Sequence, residues 1–422
     1  MCFLRINLGG TASAGQAHSS QNRFCTVPGF FYFRTKGGKR VKIINGAIFR
    51  WRWLSFGRMK DKVSGNFNIE KEDTKMKKVN HVLKNTKKMV ALLLTAVLLC
   101  TAAVAFASCA KTEKRTLAQK VSDGESLRIG VIQYLSHPSL DNCYAGVREA
   151  LKQSGIKCEI TYKVGSNTSA ENDCSAFAQD MVTSGYDLII AIATPAATLA
   201  YAATGDTEIP MIFCAVSDPV TAHLVKSMEV PGDLCTGTSD VLDLEAQVDL
   251  IQKMQPDLKS IGILYTSSEA NSLTNLKNFR AICEKRGLQV NAKAVQNASD
   301  VPAAAEAVAA ESDCINNFTD NNVVNNLNVV LEAADRHGIP VYGSEVEQVR
   351  NGCLAAVSID YVALGRVTGQ MAVEVMKGAD CKTMAVKTIT DATPVINQTV
   401  LEKLGMSMPV GYENAEIVTD RH

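Results

Sequence analysis

From about residue 126 onward, short aliphatic runs alternate with stretches whose apolar positions recur every three or four residues. Runs of the first kind read as strands and stretches of the second as amphipathic helices. The pattern predicts strands at 127–134, 158–164, 186–193 and 209–216. Helices are predicted between them at 139–155, 170–184 and 195–204, the last opening with a proline in its first turn, where a missing N–H costs nothing. The strand at 186–193 is apolar on both faces. Such strands, each followed by a helix, predict a parallel sheet covered on both sides.

The pattern breaks near 231–240 and then starts again. Helices are predicted at 244–254, 270–286, 301–310, 323–337 and 362–376, with strands at 260–265, 288–295, 313–318, 339–342 and 353–359. A chain of 422 residues is too long for one ordinary core. The expected fold class is therefore α/β with two doubly wound parallel-sheet lobes.

Charge divides the chain at a different place. Residues 1–108 hold 19 Lys/Arg against 4 Asp/Glu, a balance of +15, whereas 109–422 carry −14. The acidic part would repel phosphates, so no nucleic-acid partner is expected. Between Met89 and Ala110 lie 22 residues without a charge, preceded by Lys77, Lys78, Lys84, Lys87 and Lys88. A basic segment, an apolar segment and then small residues form the pattern of a secretory signal, here 76–108. A membrane-spanning helix is the alternative. Phe106-Ala107-Ser108-Cys109 resembles the bacterial lipobox, which favours cleavage and makes Cys109 the expected lipidation site. Residues 109–125 then form a lipidated tether. Residues 1–75 are expected to be an untranslated or disordered leader, because Met76-Lys77-Lys78 is a natural start and Lys71-Glu72-Asp73 can encode a purine-rich ribosome-binding sequence.

Little in the mature segment suggests catalysis. It contains no Gly-rich phosphate loop, HExxH helix or GxSxG elbow, and the whole chain has six histidines. Nine cysteines follow Cys109 without a CxxC pair, and most fall in apolar runs as small core residues. No enzyme activity, cofactor or metal is expected.

Six segments carry a family resemblance when taken together in order. They are His137-Pro138-Ser139-Leu140-Asp141, Ala193-Thr194-Pro195-Ala196-Ala197, Val216-Ser217-Asp218-Pro219-Val220, the stretch 264–272 beginning Leu264-Tyr265-Thr266-Ser267-Ser268-Glu269, Thr319-Asp320-Asn321 and Ile359-Asp360-Tyr361 with its continuation to Arg366. Residues about 127–405 thereby resemble the ABC-transporter substrate-binding family that includes the tryptophan-binding lipoproteins. The resemblance implies a type I periplasmic-binding-protein fold with three crossovers. Lobe 1 would comprise 126–238 with 361–390, and lobe 2 would comprise 239–360 with 391–410. It also implies a membrane permease and an ATPase as partners, and delivery of a small solute, an aromatic amino acid such as tryptophan, from outside the membrane. A lipid-anchored ligand sensor is the second functional class.

Ligands of open parallel sheets sit beyond the carboxyl ends of the strands. Those ends, together with the resemblance, nominate Tyr134, His137, Thr194, Pro195, Ala196, Ser217 and Asp218 in lobe 1. In lobe 2 they nominate Ser267, Ser268, Glu269, Asn271, Thr319, Asp320 and Glu345. The turn at Thr194-Pro195-Ala196 opens a helix, whose free N–H groups suit a carboxylate, or it is a plain cap. Asp320 is the expected ammonium partner, with Asp218 and Glu345 behind it, and Asp218 serves equally well as a turn former. Tyr134 and His137 are expected to meet a flat side chain, His137 serving equally well as a structural residue bonded to backbone, and Asp360 to sit at a hinge or at the pocket rim.

Overall fold

The computed structural model describes residues 32–34, 40–42, 83–86, 88–93, 95, 115–389 and 392–419. In the first 110 residues, β1 (Tyr32–Arg34) pairs antiparallel with β2 (Arg40–Lys42). Residues 83–86, 88–93 and 95 are helical (α1). Among the described residues no helix is long and apolar enough to cross a membrane. The expected start at Met76, the end of the signal segment and Cys109 lie outside the described residues.

The remainder is built on parallel sheets. The first runs in the order β13 (Lys387–Thr388), β7 (Cys235–Ser239), β6 (Met211–Cys214), β5 (Leu188–Ile192), β3 (Leu127–Gln133) and β4 (Cys158–Val164). Every neighbouring pair in it is parallel. Helices α3 (Pro138–Gln153), α4 (Ala170–Thr183), α5 (Thr194–Thr204) and α12 (Tyr361–Met376) pack around it, with α2 (Leu117–Ser122) leading in. Leu127, Ile129, Val131, Ile189, Ile190, Phe213 and Leu364 are fully buried in its core. β7 is a correction to the sequence reading, which treats this stretch as a break. Its Thr236 and Thr238 hydroxyls are satisfied by the Met384 carbonyl and the Thr368 hydroxyl, both at 2.7 Å, so a strand without a run of large aliphatic residues is buried without penalty.

The second lobe has a parallel sheet in the order β11 (Val341–Tyr342), β10 (Cys314–Asn316), β8 (Ser260–Thr266) and β9 (Gln289–Val295). Beside it lies a sheet of β12 (Ala355–Ser358), β14 (Thr393–Asn397) and β15 (Glu416–Val418). Leu354 N–H donates to the Val341 carbonyl and Gly343 N–H to the Ala355 carbonyl, so the two sheets continue into each other. Successive strand residues point to opposite faces and feed two separate cores. Ile263, Cys314, Tyr342, Ala355 and Ile396 enter one; Leu264, Ile315, Val341, Ala356 and Val395 enter the other. The covering helices are α6 (Leu244–Met254), α7 (Ala270–Lys285), α8 (Val301–Ala310), α9 (Asn321–Asn325), α10 (Leu327–His337), α11 (Val346–Arg350) and α13 (Gln398–Lys403). The helix expected over 323–337 is divided at Asn326, and β14 pairs antiparallel with β12, unlike the other lobe strands. β15 lies beyond 410, so the chain still contributes to lobe 2 there.

The chain passes between the lobes at 240–243, at 359–360 and again between β13 and β14. One close helix contact fixes what stands at the second passage. A Cβ on Gly146 of α3 would fall 2.1 Å from the Val362 carbonyl oxygen, and one on Gly365 of α12 would fall 2.0 Å from the Cys143 carbonyl oxygen. Backbone atoms cannot move aside cheaply, and overpacking costs about 1–3 kcal/mol. That outweighs the roughly 1 kcal/mol that glycine costs inside a helix. The glycines therefore set the first turn of α12 against α3.

Candidate functional site

The carboxyl ends of both lobes' strands converge on one cavity. Its walls come from the segments after β3 (His137, Ser139, Leu140), β5 (Ala193, Thr194), β6 (Ala215, Ser217) and β7 (Asp240). Lobe 2 adds Asn271 after β8, Thr319, Asn321 and Val324 after β10, and Glu345 and Gln348 after β11; Tyr361 opens α12. Contacts that bridge the lobes beside it include two side-chain pairs. His137 Nε2 lies 3.3 Å from Asn321 Oδ1, and Asn142 Nδ2 donates to Glu347 Oε1 at 3.3 Å. Glu347 also pairs with Arg350, which reaches on to Glu416.

The backbone is strained where it meets the cavity. Ala193 has φ +79° and Ala215 φ +55°, a region that residues other than glycine seldom occupy. Such strain persists where surrounding structure imposes it, and it clusters at functional sites. At Ala193 it turns the chain so that α5 begins at the cavity without a side-chain cap. The N–H groups of its first turn have no helical partner there, and Pro195 has none to offer.

Acidity is the second feature. Among the described residues lining the space there is no lysine or arginine, yet Asp240 and Glu345 are there, 4% and 1% exposed. Asp240 accepts from the Ser217 and Tyr361 hydroxyls, each at 3.0 Å. Burial nevertheless raises its carboxyl above the usual range. Glu345 caps α11 through the Glu347 and Gln348 N–H groups at 2.7 and 2.9 Å. Burial pushes it up to about 7 against the pull of the Ser139 hydroxyl and these N–H groups. His137 is pushed down to about 4 by burial and is therefore a neutral imidazole.

Of the residues nominated from sequence, His137, Thr194, Ser217, Asn271, Thr319 and Glu345 line this space. The others do not. Tyr134 is buried in the lobe 1 core, and Pro195 and Ala196 form the first turn of α5 behind Thr194. Asp218 accepts from the Thr221 N–H as a turn former, and Ser267 and Ser268 are exposed. Glu269 stands behind the wall, accepting from Asn271 and Asn321, its carboxyl raised by burial and then by the charge of Asp320. Asp360 is exposed and caps α12 through the Val362 and Ala363 N–H groups.

Asp320, the expected ammonium partner, is occupied within its own lobe. It accepts from Thr266 N–H at 2.5 Å, the Thr266 hydroxyl at 2.7 Å, the Ser272 hydroxyl at 2.6 Å and Val323 N–H at 3.0 Å. The wall residues that the sequence reading missed include Asp240, Asn321, Gln348 and Tyr361. Asp240 follows β7 directly, so recognising that strand would have nominated it.

These features define a two-lobed solute-binding protein whose cleft lies between parallel sheets. The sequence matches the family described as ABC transporter substrate binding protein over residues 128–412. The chain belongs to that family, whose members bind solutes outside the cytoplasm, work with an ABC transporter and are not enzymes. It is 35% identical to a tyrosine-binding protein of Clostridioides difficile over 291 residues, 68% of this chain and 84% of that protein. Among solved structures it resembles the ABC domain of a Streptococcus pneumoniae protein in complex with L-Trp. The identity is 34%, the TM-score 0.67, and the match covers 70% of this chain and 100% of the other. It also resembles the ligand-free, open form of a Clostridium difficile substrate-binding protein with adhesive properties, at 32% identity, TM-score 0.54 and the same coverage of both chains. The better match to the L-Trp complex agrees with a cleft bridged by cross-lobe contacts.

Asp320 is therefore expected to matter for the fold before any ligand is present. Asp320→Ala removes the cap of α9 and strands buried donors, which costs about 2–4 kcal/mol. Chemical denaturation of the ligand-free protein checks this; an unchanged midpoint would contradict it.

Proposed function

We propose that this protein is a lipid-anchored extracytoplasmic receptor that captures an aromatic α-amino acid, tyrosine or tryptophan, and passes it to an ABC permease driven by a cytoplasmic ATPase. The observation that supports the ligand class most is the pair of buried carboxylates in a cavity whose described lining has no basic side chain. A buried charge costs several kcal/mol unless it is paired. An ammonium group supplies the missing cation at Asp240 and Glu345, with the Ser217 hydroxyl beside it. The α-carboxylate of the same ligand fits the uncapped start of α5, where free N–H groups and the helix dipole favour an anion and the Thr194 hydroxyl adds a donor. The ligands named for the two relatives, tyrosine and L-Trp, agree with this reading. Asp240 and Glu345 thus take the role that the sequence pattern assigned to Asp320.

Delivery to a transporter needs the receptor held at the membrane. The basic segment, the apolar run and Phe106-Ala107-Ser108-Cys109 support cleavage before Cys109 and lipidation of its thiol. Two acyl chains are enough for stable anchoring.

Two experiments test the two halves of this proposal. In calorimetry, Glu345→Gln keeps an acceptor for the α11 cap but loses the charge, so tyrosine or tryptophan binding weakens at least about thirtyfold. The parent protein binds more tightly as pH rises from about 5.5 to 7.5, because the ligand favours ionised Glu345 and must displace its proton at the lower end. Glu345→Gln loses most of that dependence; a parent profile flat with pH contradicts the ammonium placement. Incorporation of labelled fatty acid is expected to vanish in Cys109→Ser, and undiminished labelling would refute the anchor.

A further inference from the structure

Once the Asp240–Glu345 end and the start of α5 have taken the main-chain groups of an amino acid, a second polar cluster on the cavity wall remains without an assigned partner. It consists of His137, Asn321, Asn271 and Thr319. Its internal hydrogen bonds determine which atoms are donors. Asn321 Nδ2 donates to Glu269 Oε2 at 2.6 Å, and Asn271 Nδ2 donates to Glu269 Oε2 and to the Thr319 carbonyl, both at 3.1 Å. Turning Asn271 over would set its oxygen against the Thr319 carbonyl, which cannot donate, and Glu269 Oε2, which already accepts from Asn271 and from the Asn321 backbone N–H, is met by the Asn321 amide nitrogen. Asn321 Oδ1 therefore faces His137 Nε2, which must carry the hydrogen and donate it. Burial keeps the imidazole neutral, leaving Nδ1 a bare acceptor.

The consequence is a pair of unmet acceptors. His137 Nδ1 and Asn271 Oδ1 are buried without a hydrogen-bond partner, as is the Thr319 hydroxyl. His137 is 8% exposed and Asn271 3%. Around them the wall is apolar at Leu140 and Val324, as a ring requires. We propose that His137 and Asn271 read the ligand's side chain, selecting amino acids whose ring carries a hydrogen-bond donor, a phenol O–H or an indole N–H, over the bare ring of phenylalanine. This inference rests on the amino-acid reading above and adds to it the basis of choice among aromatic ligands. Sites built to hydrogen-bond a substrate group reject the analogue lacking it far more strongly than apolar pockets reject a missing methylene, because the site's own polar atoms are left unpaired.

Calorimetry with L-tyrosine, L-tryptophan, L-phenylalanine and O-methyl-L-tyrosine tests this. O-methyl-L-tyrosine keeps the ring and the oxygen but has no donor. The parent protein is expected to bind phenylalanine and the methyl ether at least about thirtyfold more weakly than tyrosine. In His137→Phe and in Asn271→Leu the preference for tyrosine over phenylalanine shrinks, whatever happens to overall affinity. If a variant fails to fold, the parent series decides alone. Phenylalanine or the methyl ether binding within about threefold of tyrosine overturns the inference, as does an unchanged preference in both folded variants. If no amino acid binds the parent, the functional proposal falls and this inference with it; if all four bind alike, only the inference falls.

Discussion

Two carboxylates buried in one cavity with no lysine or arginine among its described lining residues are the constraint around which the cleft is organised. Asp240 is held by two hydroxyls and Glu345 by two backbone N–H groups, and burial still raises both. Hydrogen bonds from neutral donors soften the cost of burying a carboxylate but do not replace a cation. On the proposed reading a zwitterion completes the closed cavity, its ammonium at the carboxylates and its own carboxylate at the α5 terminus. Capture by such a cleft is a shift between open and closed arrangements, driven by the ligand's greater affinity for the closed one. In this arrangement His137–Asn321 and Asn142–Glu347 link side chains of the two lobes.

Rigid packing behind the walls is what makes so small a set of groups effective. Each lining segment follows a largely buried strand, and Ala193 and Ala215 hold backbone angles that residues other than glycine seldom adopt. The glycine contact between α3 and α12 has the same effect at the second crossover. It brings Tyr361, at the start of α12, into the cavity, where its hydroxyl donates to Asp240. A loosened scaffold would let Asp240 and Glu345 reach water, and the need for a ligand cation would disappear.

Much of this was legible in the sequence. The alternation of aliphatic runs with helical stretches defines parallel sheets, and parallel sheets place a cleft at their carboxyl ends; His137, Thr194, Ser217, Asn271, Thr319 and Glu345 follow from that rule and line the cavity. β7 escaped because its burial depends on Thr236 and Thr238 finding distant partners, a fact of tertiary structure that local hydrophobicity does not carry. Asp240 was missed with it. Reading Asp320 as the ammonium partner leaves out competition from within its own lobe. A carboxylate at a strand end is free for a ligand only if its own lobe has not already engaged it, and Thr266, Ser272 and Val323 engage Asp320 completely enough to make it a cap. Besides its cap of α9, Asp320 is set apart from Asp240 by Thr266 and Ser272, partners distant in sequence.

The central claim is that the ligand's positive charge is what the cleft lacks. It is tested most directly by comparing L-tyrosine with 3-(4-hydroxyphenyl)propionate in the same calorimeter, since the two share the ring and the carboxylate and differ only in the ammonium group. The account predicts that the deaminated compound binds at least about a hundredfold more weakly, the scale of a buried carboxylate left without its cation. Binding of the two within about threefold would contradict it, because Asp240 and Glu345 would then have no claim on the ligand at all.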